Sequence, residues 1–199
     1  MTLRERKRAR TRQAIVDAAA DLIERNGYEG TTVADIAAAA EIGTRTFFSY
    51  FASKEEVLFP ESDDRVRATL DAIATRGPSE GPAAVLVRAL RSTGAQGSDL
   101  TNRAARLRLS LIRDVPAVRG RGLQIQLDAQ REIARHLAAA YPDDLDPVSA
   151  GALAGALIGA VTGALSVVFD DPARSDDPES LRAAIERATE IALRPWGSA

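Results

Sequence analysis

Apolar positions in this chain recur at helical spacing over most of its length. Ile15, Ala18, Ala19, Leu22 and Ile23 form one stripe, closed by Asn26-Gly27, and predict a first helix from about Thr11 to Asn26. Val33, Ile36, Ala37 and Ala40 form a second stripe, preceded by Thr32 as a hydroxyl cap with Asp35 completing a capping box. Glu41-Ile42-Gly43 breaks that run. Phe47 and Phe51, four apart, then give the next helix an inward edge, while Thr44, Arg45, Phe48 and Ser49 point elsewhere. Ser53-Lys54-Glu55-Glu56 is a second S-x-x-E box and predicts another helix from Ser53 to Phe59, bent or restarted at Pro60.

Beyond Pro60 the helical period continues through Val66, Leu70 and Ile73 to a plain linker at Gly77-Pro-Ser-Glu-Gly-Pro82. Further helices are expected over Ala83–Thr93, Leu100–Arg113 and Pro116–Tyr141, with Ser98 or Asp99 capping the second of these. Asp146-Pro147 is a cap followed by proline at the first helical position. From Val148 to Phe169 there is no charge, and a helix of that length spans about 33 Å, enough for a bilayer. Gly151, Gly155, Gly159 and Gly163 recur every fourth residue within it, the small-xxx-small pattern of packed membrane helices. Its flanks are acidic (Asp143, Asp144, Asp146, Asp170 and Asp171) and lack basic or aromatic anchors close to either end, so a wholly buried helix of a soluble protein is the better reading. Interior glycines cost about 1 kcal/mol each relative to alanine. Close approach by another helix along the glycine groove would offset that cost. A last helix, Pro178 to Leu193, is capped by Asp177 and presents Leu181, Ala184, Ile185, Ala188, Ile191 and Ala192 on one side. No strand pattern occurs, so the predicted fold class is all-α.

Two short helices joined by so tight a turn form a helix-turn-helix, whose second member can lie in a DNA major groove. The residues that build it, Thr31 to Leu58, resemble the DNA-binding domain of the TetR family of bacterial transcriptional regulators. The resemblance rests on Thr32-Val33, on Thr46-Phe47-Phe48-Ser49-Tyr50-Phe51 and on Lys54-Glu55, and extends upstream through the helix ending at Asn26-Gly27. Two positions depart from the family pattern. Phe48 stands where tyrosine is usual, and Gly43 stands where serine is common. The resemblance implies an N-terminal three-helix domain over residues 1–53 and a helical effector-binding and dimerisation body over residues 54–199. It also implies that Ser49 and Tyr50 make groove and phosphate contacts, and that Thr32, Thr46 and Lys54 hold the DNA backbone. By the same resemblance the last two long helices pair with those of a second subunit. Gly151, Gly155, Gly159, Gly163, Leu181 and Ile185 are the candidates for that interface. An operator of two half-sites, a homodimer, and a small-molecule effector that lowers operator affinity complete the expectation, most simply for a repressor.

Charge sharpens the picture. The 199 residues sum to −2, which alone argues against nucleic acid, yet residues 1–12 carry six cations against Glu5, net +5, leaving −7 for the remainder. A basic run just before a helix-turn-helix is expected to be a DNA-contacting arm, with Arg12 its last cation. Arg45 is the candidate base reader, since a guanidinium grips guanine O6 and N7, with Thr44 and Phe48 on the same side. Absence of cysteine excludes disulfides and thiolate metal sites and suits a cytoplasmic protein. The N-terminus is too polar for a signal peptide. No nucleophile elbow, Walker loop, zincin or dinucleotide motif is present, so no enzyme, cofactor or metal is expected. His136, the single histidine, is expected at the surface among Arg131, Glu132 and Arg135, and Trp196 is expected to cover part of the body. Arg106, Arg113, Gln124 and Gln126 are conceivable effector contacts, no more. The alternatives are a helical carrier or adaptor that has lost DNA binding, and a protein anchored in a membrane through residues 148–169.

Overall fold

A computed structural model of the protein describes residues 2–60, 62–95, 103–170 and 177–196. Its helices are α1 (Leu3–Asn26), α2 (Val33–Ala39), α3 (Thr44–Phe48), α4 (Ser62–Ala74), α5 (Pro82–Ala95), α6 (Arg103–Asp114), α7 (Pro116–Ala140), α8 (Pro147–Phe169) and α9 (Pro178–Leu193). Short 3-10 turns lie at Glu56–Leu58 and Arg194–Trp196, and no strand occurs among the described residues. The chain divides into two compact units, one of Met1–Pro60 with Asn102–Gly122, the other of Glu61–Thr101 with Leu123–Ala199. The first unit therefore extends past residue 53 to Pro60 and includes α6, which the resemblance places in the body.

The first unit is built around two phenylalanines. Phe47 and Phe51 are fully buried with Ile15, Val16 and Ala19 of α1, Ile36 and Ala37 of α2, and Val57. Local chemistry sets its boundaries. Thr32 Oγ1 accepts from the Asp35 amide at 3.2 Å while the Asp35 carboxylate accepts from the Thr32 amide at 3.0 Å, the reciprocal box that starts α2. Gly27, at φ +76°, ends α1 in a conformation that favours glycine, its amide donating to the Ile23 carbonyl at 2.9 Å. Two expectations need correction here. First, α1 starts at Leu3 and not at about Thr11, because Thr2 and Glu5 form a capping box of their own: the basic run is the start of that helix. Second, Ser53–Phe59 forms no α-helix. The Ser53 hydroxyl accepts from the Glu56 amide at 3.3 Å, but only the turn at Glu56–Leu58 follows before Pro60.

In the second unit Ala72 and Ile73 of α4, Val85, Leu86 and Ala89 of α5, Ile133 and Leu137 of α7, and Ala150, Leu153, Ala154 and Leu157 of α8 share one core, with Leu193 of α9. Trp196 packs against that core, as expected. A second cluster joins Ala164 and Val168 of α8 to Leu181, Ala184 and Ile185 of α9. The stretch at 77–82 is a latched turn, not a plain linker. Glu80 takes two hydrogen bonds from Arg88, at 2.7 and 2.9 Å, and its carbonyl accepts from the Tyr141 hydroxyl at 3.0 Å. The start of the expected 100–113 helix, its cap at Ser98 or Asp99, and Asp171 lie outside the described residues.

α8 is long and apolar enough to cross a membrane by length and composition. It is not wholly buried: Ala150, Leu153, Ala154, Leu157, Ala164 and Val168 face the chain's own core, whereas Gly159, Gly163 and Val167 are exposed and Val148 is 81 % exposed. The glycine row therefore serves two faces. A Cβ on Gly155 would lie 2.9 Å from Gln130 Nε2, so Gly155 makes room for α7 within the chain, and the Gly151 carbonyl accepts from Gln130 at 3.3 Å. Nothing lies within 4 Å of a Cβ placed on Gly159 or Gly163. Leu181 and Ile185, expected at a subunit interface, are instead buried against α8 of the same chain and are not available to a second subunit.

Candidate nucleic-acid interface

α3 is five residues long, and its outer face carries Thr44, Arg45 and Phe48 into solvent. A burial pattern this one-sided follows from position alone: Phe47 and Phe51 anchor the inner edge, and their neighbours on the helix must look out. Phe48 is 55 % exposed, and its ring meets that of Phe47 edge-on at 5.4 Å between ring centres. Arg45 is exposed and takes part in none of the ion pairs or hydrogen bonds found among the described residues. Glu41, at φ +56°, lies in the left-handed region within the turn that aims α3 away from α2. Gly43 caps α3 with no side-chain hydrogen bond, as its lack of a side chain requires.

The other candidates divide by what their polar atoms already do. Thr46 is exposed, and the Ser49 hydroxyl donates to its carbonyl at 2.6 Å. The Thr32 hydroxyl is exposed, yet it donates to Asp35 Oδ2 at 2.6 Å as part of the cap. These bonds hold the Asp35 carboxyl below the usual carboxylate range. Tyr50 is half-buried, with the Arg8 guanidinium 4.8 Å from its ring centre. Lys54 is occupied inside the unit: its Nζ donates to the Tyr28 and Thr31 carbonyls, each at 2.8 Å, and lies 3.8 Å from the Tyr28 ring centre. Burial, followed by the hydrogen bond to Glu55, raises the Tyr28 hydroxyl well above the ordinary tyrosine range. Arg12, expected in an arm on DNA, donates instead to the Tyr50 carbonyl at 3.2 Å and the Pro60 carbonyl at 2.9 Å. The phosphate contacts expected of Arg12 and Lys54 are thus not what their geometry favours.

This internal use of cations is not legible along the sequence, and neither is that of Arg108, which is buried and donates to the Leu58 carbonyl at 3.2 Å. One partial signal of it is present in the sequence. Thr2-x-x-Glu5 is itself a capping box, and with it α1 extends so that Arg8 and Arg12, four apart, share a face. Arg4, Arg6, Lys7 and Arg10 of the same turns remain exposed, leaving a cationic helix start in the unit that carries α3. Of the conceivable effector contacts, Arg106 and Gln124 are exposed, Arg113 pairs with Asp114 at 3.2 Å, and Gln126 donates to Thr162 at 2.9 Å. His136 is half-buried, not fully at the surface, its Nδ1 2.9 Å from the Glu132 carbonyl.

This chain is similar to known proteins. Residues 15–59 match the bacterial regulatory proteins of the tetR family, and residues 80–191 match the MftR C-terminal domain. The HTH-type transcriptional regulator TcmR of Streptomyces glaucescens is 34% identical over 149 residues, a match covering 72% of this chain. The chain spans 66% of that relative's length. Crystallised TetR-family regulators of Mesorhizobium loti and Syntrophomonas wolfei share the fold at TM-scores of 0.57 and 0.58, each at 17% identity. The first match covers 95% of this chain and 98% of the other, and the second 94% and 96%.

Proposed function

Because this chain belongs to the tetR family of bacterial regulatory proteins, which are transcriptional regulators and not enzymes, we propose that it binds a two-fold symmetric operator as a homodimer and is released by a small-molecule effector. The observation that carries the DNA-binding half is the outward face of α3, with Thr44, Arg45 and Phe48 in solvent, in the same compact unit as the cationic start of α1. Arg45 reads a guanine edge in the major groove and Phe48 packs on a thymine methyl. Thr46, Ser49 and Tyr50 lie against the backbone and groove wall, and the exposed cations of α1 supply non-specific attraction to phosphate.

The homodimer is supported by α8. Its exposed face holds Val148, Gly159, Gly163 and Val167, a run without charge that water covers poorly and that a second copy of the same helix would cover well. Two heads would then meet half-sites about 34–36 Å apart. Repression is the simplest consequence of occupying an operator. The effector acts by binding more tightly to the state in which the heads are wrongly spaced, and it lowers operator affinity by that difference.

Selection of duplexes from a random pool tests this reading. A palindrome should emerge, and Arg45→Ala should lose about 1–3 kcal/mol of discrimination at one base pair of each half-site. Equal binding of selected and mismatched duplexes by the wild-type protein would refute it.

A further inference from the structure

Arg12 stands where the end of the recognition helix meets the segment running to Pro60. Its Nη1 donates to the Tyr50 carbonyl at 3.2 Å, its Nη2 to the Pro60 carbonyl at 2.9 Å, and its Cζ lies over the Phe51 ring, 4.3 Å from the centre. One turn earlier, Arg8 stacks on Tyr50 at 4.8 Å and reaches the Ser49 carbonyl at 3.5 Å. α3 needs support of this kind. Five residues are far too few to persist as an isolated helix, and Gly43 contributes no side-chain cap at the other end. Carbonyls at a helix C-terminus are left without intrahelical partners and attract cations; Arg8 meets the Ser49 carbonyl at the cap, and Arg12 the Tyr50 carbonyl one residue beyond it.

We propose that Arg12 is a positioning residue for DNA recognition. Its planar fork holds the turn that closes α3 in one orientation, so that Arg45 meets a base edge, and it does so without touching phosphate. This rests on the proposed reading of α3 as the DNA-reading helix. Lysine would keep the charge, but an ammonium is a point donor and cannot reproduce a fork that bridges two carbonyls while stacking on a ring. A phosphate contact, by contrast, would tolerate lysine and would show in the salt dependence of binding.

The test compares the full-length wild type with R12K and R12Q by two measurements. Without DNA, amide hydrogen exchange at Tyr50 and Phe51 should be about tenfold faster in both variants, since each loses a charge-assisted hydrogen bond, while Ala40 at the end of α2 is unchanged. On the duplex enriched by the wild type, both variants should bind about tenfold more weakly at every potassium chloride concentration, with the wild-type slope of log affinity against log salt. R12K, which keeps the charge and stem, carries the comparison if R12Q fails to fold. The proposal is overturned if exchange at Tyr50 and Phe51 is unchanged. It is equally overturned if R12K binds like wild type while R12Q lowers the salt slope by about one, the mark of a phosphate contact. Should the wild type enrich no duplex, the DNA reading itself falls and takes the recognition role with it. The exchange measurement would still decide separately whether Arg12 holds α3 in place.

Discussion

Single atoms decide several positions in the head. A Cβ on Gly30 would sit 2.5 Å from the Asn26 carbonyl oxygen, a backbone atom that cannot step aside. Gly30→Ala should therefore cost about 1–3 kcal/mol, as overpacking does, read as a lower denaturant midpoint at constant slope. Glu41 has the opposite problem, since a side chain already occupies the left-handed region at φ +56°. Glu41→Gly should raise stability by up to about 1 kcal/mol, because the strain of a Cβ in that region exceeds the extra freedom glycine gains on unfolding. Calorimetry at neutral pH would record this as a higher Tm. Both changes act on the turns that precede α2 and α3, so neither should alter α8.

α1, α2, α8 and α9 start where a side-chain oxygen meets free amides, and the carboxylate caps of α8 and α9 make those two starts sensitive to acid. Asp146 accepts from the Ser149 amide at 2.7 Å, and that backbone hydrogen bond, first among the causes, holds its carboxyl below the usual range. Asp177 is held low chiefly by its hydrogen bonds with Ser180. A carboxyl whose folded pKa is depressed stabilises the fold above its unfolded pKa, and that contribution disappears as pH falls through the folded value. Helicity by circular dichroism should therefore fall as pH drops below the ordinary carboxylate range. Asp146→Asn, which keeps a capping oxygen without a titrating group, should flatten part of that fall. The latch at Glu80 adds to the same acid limb, since its carboxyl is lowered mainly by the hydrogen bonds from Arg88.

The whole molecule turns on how α8 is covered. Gly155 is filled by Gln130 of the same chain, whereas Gly159 and Gly163 have open space beyond them. Gly155→Leu should consequently disturb the α7–α8 packing and lower Tm. Gly159→Arg should leave the fold of each chain intact and place a charge in the proposed subunit seam. Light scattering should then give monomers with unchanged helicity, and operator binding should weaken because two half-sites are no longer engaged together. A Gly159→Arg protein that remains dimeric would remove α8 from the interface.

Residue pattern alone determined the all-α class, the caps at Thr32, Asp146 and Asp177, the inward Phe47 and Phe51, and the outward Thr44, Arg45 and Phe48. These follow from interactions within a few residues, or from a helical period that any partner surface must respect. Tertiary structure alone decided which cations are spent inside the head, which glycines face the chain's own helices, and that Leu181 and Ile185 belong to the chain's own core. Such outcomes depend on what lies opposite a side chain. An arginine bound for phosphate and an arginine bound for a carbonyl 48 residues away read the same along the sequence.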